Sequence, residues 1–335
     1  YWEKFISPSS VGGEKIQPSL IQVPLQWQKQ KILLNGQQFQ IPRFGYASCR
    51  LKIIFPDKAD KLTLYSSGVS SSYEIYADGE LILRSGKKGI SLEETEPFSR
   101  RKILPLKTEG KRETDIVIHV SNYHDFSMFG IWDRMVLDRP ESAVRSYIFK
   151  SWETFILFSS LAVMGIYHIV LYLNRKHDRS PLYFGLFCIL MAIREMSIYD
   201  KVIIDLFPSI PYWLVHKFEF IPFYAGGILF TMFIQSLFPE EFPSLAFKLI
   251  LTAGAVPIFL LIFFPMHIYT YTRGFYQILS LFSLMVFIYA SSRAIYRRKE
   301  GAGLFVAAVS VFLMTMVHDV LKARGVVHTP AMNGF

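Results

Sequence analysis

The chain has 335 residues, of which 51% are hydrophobic, 16% aromatic and 19% charged, with a net charge of +9. It is more apolar and less charged than an average soluble protein. A basic balance suits nucleic acid or an anionic membrane surface, but there is no basic stripe with interleaved aromatics and no nucleic-acid motif, so the expected partner is the lipid bilayer. The two cysteines, Cys49 and Cys188, lie in stretches too different in character to pair, which excludes an internal disulfide.

Two regimes share the chain. Up to residue 150, charged, polar and apolar residues mix in short segments; from Glu153 onward, long apolar runs dominate. The chain therefore divides into an N-terminal extension at 1–28, a β-rich domain at 29–145 and a membrane domain at 146–335. It opens at Tyr1 with neither methionine nor an apolar leader, and a signal peptide removed or left out is expected.

In the β-rich domain the runs ASCRLKIIF, KLTLYSS, SYEIYADGELIL, RKILPL, TDIVIHVSN and FGIWDRMVL are β-branched or aromatic and bounded by Gly, Pro, Asp and Asn, the pattern of successive strands. Asp78-Gly79 between two such runs predicts a hairpin, because that turn needs positive φ at both positions. Ile116, Ile118 and Val120 alternate with Asp115, Val117 and His119, as in a strand with one face in a core. With no helical period in this half, the predicted fold is an all-β antiparallel sandwich of jelly-roll type.

Six later segments are long and apolar enough to span a bilayer, which needs roughly 20 residues: 154–173, 182–198, 218–238, 245–264, 274–290 and 303–320. They predict an all-α polytopic transmembrane bundle. Pro222 and Pro257, inside two runs, are tolerable in membrane helices and read as a kink or a flexing point. Arg175, Lys176 and Arg179 in the first connector, with Arg293, Arg297, Arg298 and Lys299 in the fifth, put those connectors in the cytoplasm by the positive-inside bias. The β-rich domain is then extracytoplasmic. Six spans return the chain to the outside, so a seventh helix is expected beyond Phe335.

The runs GYASCRLKIIFPDK, YEIYADGELILRSGKKGISLEETEP and VIHVSNYHDFSMFGIW resemble the second type of extracellular domain of bacterial 7TMR-DISM proteins, the seven-transmembrane receptors with diverse intracellular signalling modules. More loosely they are similar to the galactose-binding-like jelly rolls attached to glycosidases. Family members usually have Asn where this chain has Ala77 or Asp78, and Tyr where it has Cys49. In the membrane half, LYFGLFCILMAIREM, WLVHKFEFIPFYAGGILFTMFIQSLFPEEFP and GLFVAAVSVFLMTMVHDVLKARGVVHT resemble the second, third and sixth helices of the same family. The resemblance runs from about Phe44 to Thr329. It implies a receptor of the bacterial inner membrane whose seventh helix leads into a cyclase, kinase or phosphatase output domain, and a homodimer formed through that domain.

Candidate chemistry is sparse. No HxxxH, HExxH or paired-cysteine spacing appears, so neither a metal nor a cofactor is expected. Glu93, Glu94 and Glu96 form an acidic loop, not the two opposed carboxyls of a glycosidase, and the chain reads as non-enzymatic. A sugar-like ligand wants an aromatic platform beside amide and carboxylate groups. Tyr73, Asn122, Tyr123, His124, Asp125 and Trp132 lie near strand ends and are the candidate ligand set, although Tyr73 and Trp132 equally suit the sandwich core. Arg194, Glu195, Glu219, His318 and Asp319 form a polar layer inside the apolar runs. Charges at membrane depth pair or serve function, and Arg194 is expected to pair with Glu219 or Asp319. The functional expectation is a signal receptor whose outer domain senses a carbohydrate-like molecule or a periplasmic protein. The alternatives are a transporter or channel using Arg194, Glu219 and Asp319, or the N-terminal part of a membrane-bound adenylate cyclase or histidine kinase.

Overall fold

The computed structural model of the chain describes residues 3–5, 19–20, 31–34, 37–40, 42–66, 68–99, 101–126, 130–131, 135–198, 200–307, 310 and 314. Strands come first: β1 (Glu3–Phe5), β2 (Ser19–Leu20), β3 (Lys31–Leu34), β4 (Gln37–Gln40), β5 (Gly45–Ile54), β6 (Leu62–Ser66) and β7 (Val69–Ser70). They continue with β8 (Ser72–Ala77), β9 (Glu80–Ser85), β10 (Lys102–Leu106), β11 (Glu113–Asn122), β12 (Gly130–Ile131) and β13 (Val136–Asp138). Helices follow: α1 (Pro140–Asn174), α2 (Ser180–Ser197), α3 (Val202–Leu206), α4 (Tyr212–Leu237), α5 (Ser244–Phe263), α6 (Met266–Tyr269) and α7 (Thr272–Tyr296).

A six-stranded sheet in the order β2-β1-β5-β11-β8-β9 faces a three-stranded sheet, β10-β6-β13, and the pairings are antiparallel. Period-2 patterning explains the sandwich. Ile116, Ile118 and Val120 of β11 are almost fully buried and meet Tyr73 and Ile75 of β8, Leu64 of β6 and Leu104 of β10 in one core. Each buried side chain of this size stabilises by roughly 1.5–3 kcal/mol before the entropy of ordering it is subtracted. Asp78 and Gly79 turn β8 into β9 at φ of 50° and 83°, the positive values a two-residue hairpin requires. The sheet also reaches into the segment assigned to the N-terminal extension, since β1 pairs with β5 from Glu3↔Arg50 to Phe5↔Ser48. Strands of two and three residues leave no readable alternation.

In the helical half, α1, α2, α4, α5 and α7 fall on the first five of the predicted spans. Among the described residues, four helices are long and apolar enough to cross a membrane: α1, α4, α5 and α7. α2 has 18 residues and spends its last turn on Arg194 and Glu195, which keeps it outside that set. Of the sixth apolar run, residues 303–307 are helical and most of the remainder lies outside the described residues. α1 begins fourteen residues before the predicted start of its span, with Pro140 at its first position, where missing an N–H costs nothing. Glu141, Arg145 and Lys150 concealed this from the hydropathy reading, because that part of the helix lies beside the β-domain. The Lys150 ammonium sits 5.7 Å from the Tyr65 ring centroid, and Arg139 lies 3.7 Å from Asp60. α4 and α5 run unbroken through Pro222 and Pro257.

Candidate functional site

Two of the polar residues singled out, Asp125 in the β-domain and Glu219 in the helices, act on the same buried ammonium, that of Lys201, at the end of the bundle that faces the β-domain. Asn122 closes β11 into a turn. Its amide donates to the Asp125 carbonyl at 2.7 Å and its carbonyl oxygen accepts from the Asp125 N–H at 3.1 Å. The turn carries Asp125 and Phe126 onto the helices. The Phe126 N–H donates to Thr270 Oγ1 at 3.2 Å, and its ring stacks on Tyr271 at 3.9 Å between centroids. The Arg43 guanidinium lies 4.0 Å from the Phe126 ring centroid. Apolar contact, stacking and a hydrogen bond thus tie this turn to the connector between α6 and α7.

A second tie joins the sheet to the connector between α2 and α3. Arg101, just before β10, forms an ion pair with Asp200, their side chains only 7% and 6% exposed, and the Arg101 guanidinium also lies 4.9 Å from the Tyr65 ring centroid. Nearby, Phe98 packs at 5.5 Å against Tyr212, the first residue of α4.

Beneath these contacts lies a buried polar cluster. Lys201 donates from Nζ to Glu219 Oε2 at 3.0 Å and to the Ser197 carbonyl at 3.2 Å. Its backbone is held at φ 50°, a left-handed conformation that costs a non-glycine residue about 1–2 kcal/mol. Burial by itself lowers the Lys201 ammonium; the Glu219 carboxylate, with Tyr212 and Asp125, outweighs it and raises it. The charge of Asp125 also acts on Tyr212, His216 and Tyr269. Further in, His216 Nδ1 and the Tyr269 hydroxyl are 2.7 Å apart, Tyr224 and Thr272 hydroxyls 2.8 Å, and the Tyr276 hydroxyl donates to the Tyr224 carbonyl at 2.9 Å. Two connectors of the bundle, the first turns of α4 and two loops of the sandwich therefore meet in one charged and polar region. A displacement of either half exposes or separates charges that are costly to leave unpaired.

The candidate residues fare unequally. Tyr73 is 1% exposed and belongs to the sandwich core, so the core reading, not the ligand platform, describes it. Asn122, 1% exposed, shapes a turn. His124 Nε2 pairs with the Thr95 carbonyl at 2.7 Å. Tyr123 is half-buried, its hydroxyl pKa raised by burial and by Tyr46 and Glu94. Trp132 lies outside the described residues, as do His318 and Asp319. Glu219 takes a direct ion pair from Lys201; Arg194, expected to pair with Glu219 or Asp319, sits 5.7 Å from the Phe223 ring centroid, and its charge also acts on Glu219. Glu195 is half-buried one residue further on. Arg101, Asp200, Lys201, Phe126 and Thr270 escaped the sequence reading. One signal was available: the connector IYDKVIIDLFPSIP is too apolar for a solvated loop yet contains an adjacent acid and base. Among the described residues, no three His, Cys, Asp or Glu side chains cluster as a metal would need.

At the opposite end, Glu241 is 1% exposed and lies 3.4 Å from Arg297 and 3.7 Å from Lys299, while Lys299 also holds Glu240 at 2.9 Å. These contacts clamp the α4–α5 connector to the end of α7.

Among solved structures, the chain is similar to a GH2 beta-galacturonidase from Eisenbergiella tayi bound to galacturonate, at 16% identity and a TM-score of 0.28 over 41% of this chain and 23% of that one. It is also similar to a Faecalibacterium prausnitzii beta-glucuronidase, at 14% identity and a TM-score of 0.26 over 37% and 20%. The chain thus spans about a fifth of the length of those enzymes. No curated protein matches it. The family model described as 7TM diverse intracellular signalling matches residues 151–335, more than half of the chain and every helix from α2 onward. A multi-pass membrane protein with an antiparallel β-domain seated on its helices, this chain belongs to the 7TM diverse intracellular signalling family.

Proposed function

We propose that the chain receives a signal through its β-domain and passes it along the helices to an output domain that carries out the chemistry. The ligand is a carbohydrate-like molecule or a periplasmic protein, and the β-domain faces the periplasm of a bacterial inner membrane. One observation carries this reading: the Arg101–Asp200 pair and the Asp125, Lys201 and Glu219 cluster make the seat of the β-domain on the bundle a charged joint. Ligand binding that shifts the sandwich has to rearrange these charges. A transporter would instead build its site near the midplane from broken helices, and α4 is continuous.

Hydrogen exchange on the full receptor in nanodiscs, with and without a panel of glycans and periplasmic extract, tests the reading. A ligand that protects β-domain amides is expected to change exchange at residues 198–212 and 264–272 as well. Binding without any change there would refute transmission through the joint. Orientation is tested separately in spheroplasts, with Cys49 and Cys188 replaced. Ser70→Cys should react with an impermeant thiol reagent and Asp178→Cys should not; the reverse pattern overturns the extracytoplasmic placement.

A further inference from the structure

The outer face of the six-stranded sheet, away from the sandwich core, carries a charge arrangement that stability does not call for. Strand pairing sets Ser48 of β5, His119 of β11, Glu74 of β8 and Arg84 of β9 side by side in one row. Glu74 is 4% exposed, although its neighbours Tyr73 and Ile75 occupy the core on the opposite face. Three donors cover its carboxylate. Arg84 Nε lies 2.7 Å from Oε1, while the Tyr76 hydroxyl and Lys88 Nζ lie 2.9 Å and 2.6 Å from Oε2. Two other pairs on this face, Arg50 with Asp115 and Lys52 with Glu113, match one cation to one acid. Glu74 takes two cations, so the row holds one excess positive charge. A buried ion pair is weak support for stability, because an uncharged replacement of like volume is often no worse. The effect of this carboxylate is orientation: it fixes two cations beside each other.

The loop after β9 turns the row into a corner. Lys87 and Glu96 exchange backbone hydrogen bonds at 3.0 and 2.9 Å, and the Gly89 N–H donates to Ser121 Oγ at 3.3 Å. The loop therefore folds over the neighbouring row and sets Lys88 against Glu74. The groups left facing solvent are donors. Arg84 reaches Glu74 through Nε, and its side chain is 64% exposed, which leaves its terminal N–H groups to solvent. His119 Nδ1 lies 2.6 Å from Ser48 Oγ, so Nε2 is the ring nitrogen open to a ligand. Tyr46, two residues before Ser48 on the same face, is 38% exposed and offers an aromatic surface.

We propose that this corner binds an acidic sugar: Arg84 and Lys88 take its carboxylate, His119 a ring hydroxyl, and Tyr46 the apolar face of the pyranose. An anion fits because the acid of the row is already filled and the remaining charge is positive. A guanidinium also matches a carboxylate with two parallel N–H donors. A sugar fits because donors stand beside an aromatic surface. The assignment rests on the reading of the β-domain as a carbohydrate sensor and narrows its ligand to uronic acids.

Saturation-transfer NMR of the full chain in nanodiscs, with empty nanodiscs as reference and D-glucuronate as the probe, tests the site. Glucuronate should give protein-dependent signals. Its methyl ester and D-glucose should bind about tenfold more weakly, as the loss of a charge-assisted hydrogen bond implies, and so should acetate, which has the charge without the ring. Lys88→Gln should weaken glucuronate about tenfold by the same measure. Lys107→Gln, which removes a like charge from an exposed pair with Glu80, should leave it unchanged. Because Lys88 also holds Glu74, Tyr46→Ser provides a variant that leaves the ion pairs intact, and it should weaken glucuronate severalfold. No glucuronate signal, equal binding of the ester, glucose or acetate, equal loss in Lys107→Gln, or no loss in Tyr46→Ser overturns the site. Those results leave the sensor reading standing, since exchange at residues 198–212 and 264–272 tests it with other ligands.

Discussion

Replacing Asp200 by asparagine tests whether the joint is an electrostatic latch. The change keeps shape and removes one charge from a pair whose side chains are 7% and 6% exposed. Leaving one partner of such a pair uncompensated costs on the order of 3–5 kcal/mol. The Tyr65 ring, 4.9 Å from the guanidinium, keeps part of the favourable field, worth about 0.5–2 kcal/mol, so Asp200→Asn belongs near ~3 kcal/mol. That is roughly a 150-fold shift toward the undocked arrangement. Arg101→Met loses the ring contact as well and should cost more, while the double variant should recover much of the loss because no charge is stranded. Exchange of amides 198–212 in nanodiscs reads the equilibrium directly: it should accelerate about 100-fold in Asp200→Asn while the interior of α4 stays protected. Unchanged exchange in the single variant, or a double variant as open as the sum of the singles, would refute the latch.

Four further outcomes are expected. Burial, helped by Lys88 and opposed by Glu74, lowers the His119 imidazole below 6.5; the unfolded chain then takes up its proton first, so β-domain stability should fall as pH drops through about 6.5. Thermal midpoints at pH 8 and 5.5 should differ less in His119→Asn than in the parent. Burial raises the Glu74 carboxyl, but hydrogen bonds from Lys88, Tyr76 and Arg84 outweigh it and lower it below 4.5. A second loss therefore follows as pH falls below that value, and Glu74→Gln should abolish it in thermal midpoints compared on either side of it. Gly185→Ala pushes a methyl into the Gly165 carbonyl at 2.9 Å and should cost about 1–3 kcal/mol, read as a lower melting temperature in detergent. Gly79→Ala meets nothing within 4 Å, so its loss should be confined to about 1–2 kcal/mol from the positive φ; a larger drop would point to a contact at the turn.

Local signals carried most of the sandwich. The alternation in β11 and the Asp78-Gly79 turn depend on neighbours within a few residues, and both appear where the pattern puts them. The apolar runs likewise gave the helices, but hydropathy averages across the water boundary. It therefore missed the upper turns of α1. The joint was not legible, because Asp125, Lys201 and Glu219 lie far apart in the chain and only tertiary packing brings them together. Tyr73 illustrates the same limit: an aromatic near a strand end looks alike whether it faces a ligand or a core. Of the polar layer, Glu219 has its ion pair with Lys201, a partner the sequence did not suggest because Lys201 falls in a connector between apolar runs, while His318 and Asp319 lie outside the described residues.

The continuous course of α1 has a mechanical consequence. From Pro140, beside the β-domain, to Asn174 it is one hydrogen-bonded rod, so its two ends cannot move independently. A tilt of about 5° at the upper end displaces the lower end by roughly 4–5 Å over its ~52 Å length. That is close to the rise of one helical turn, large enough to change which residues meet at the far side. A sub-ångström adjustment where Lys150 meets Tyr65 is thereby magnified by lever geometry alone, without any helix having to unwind.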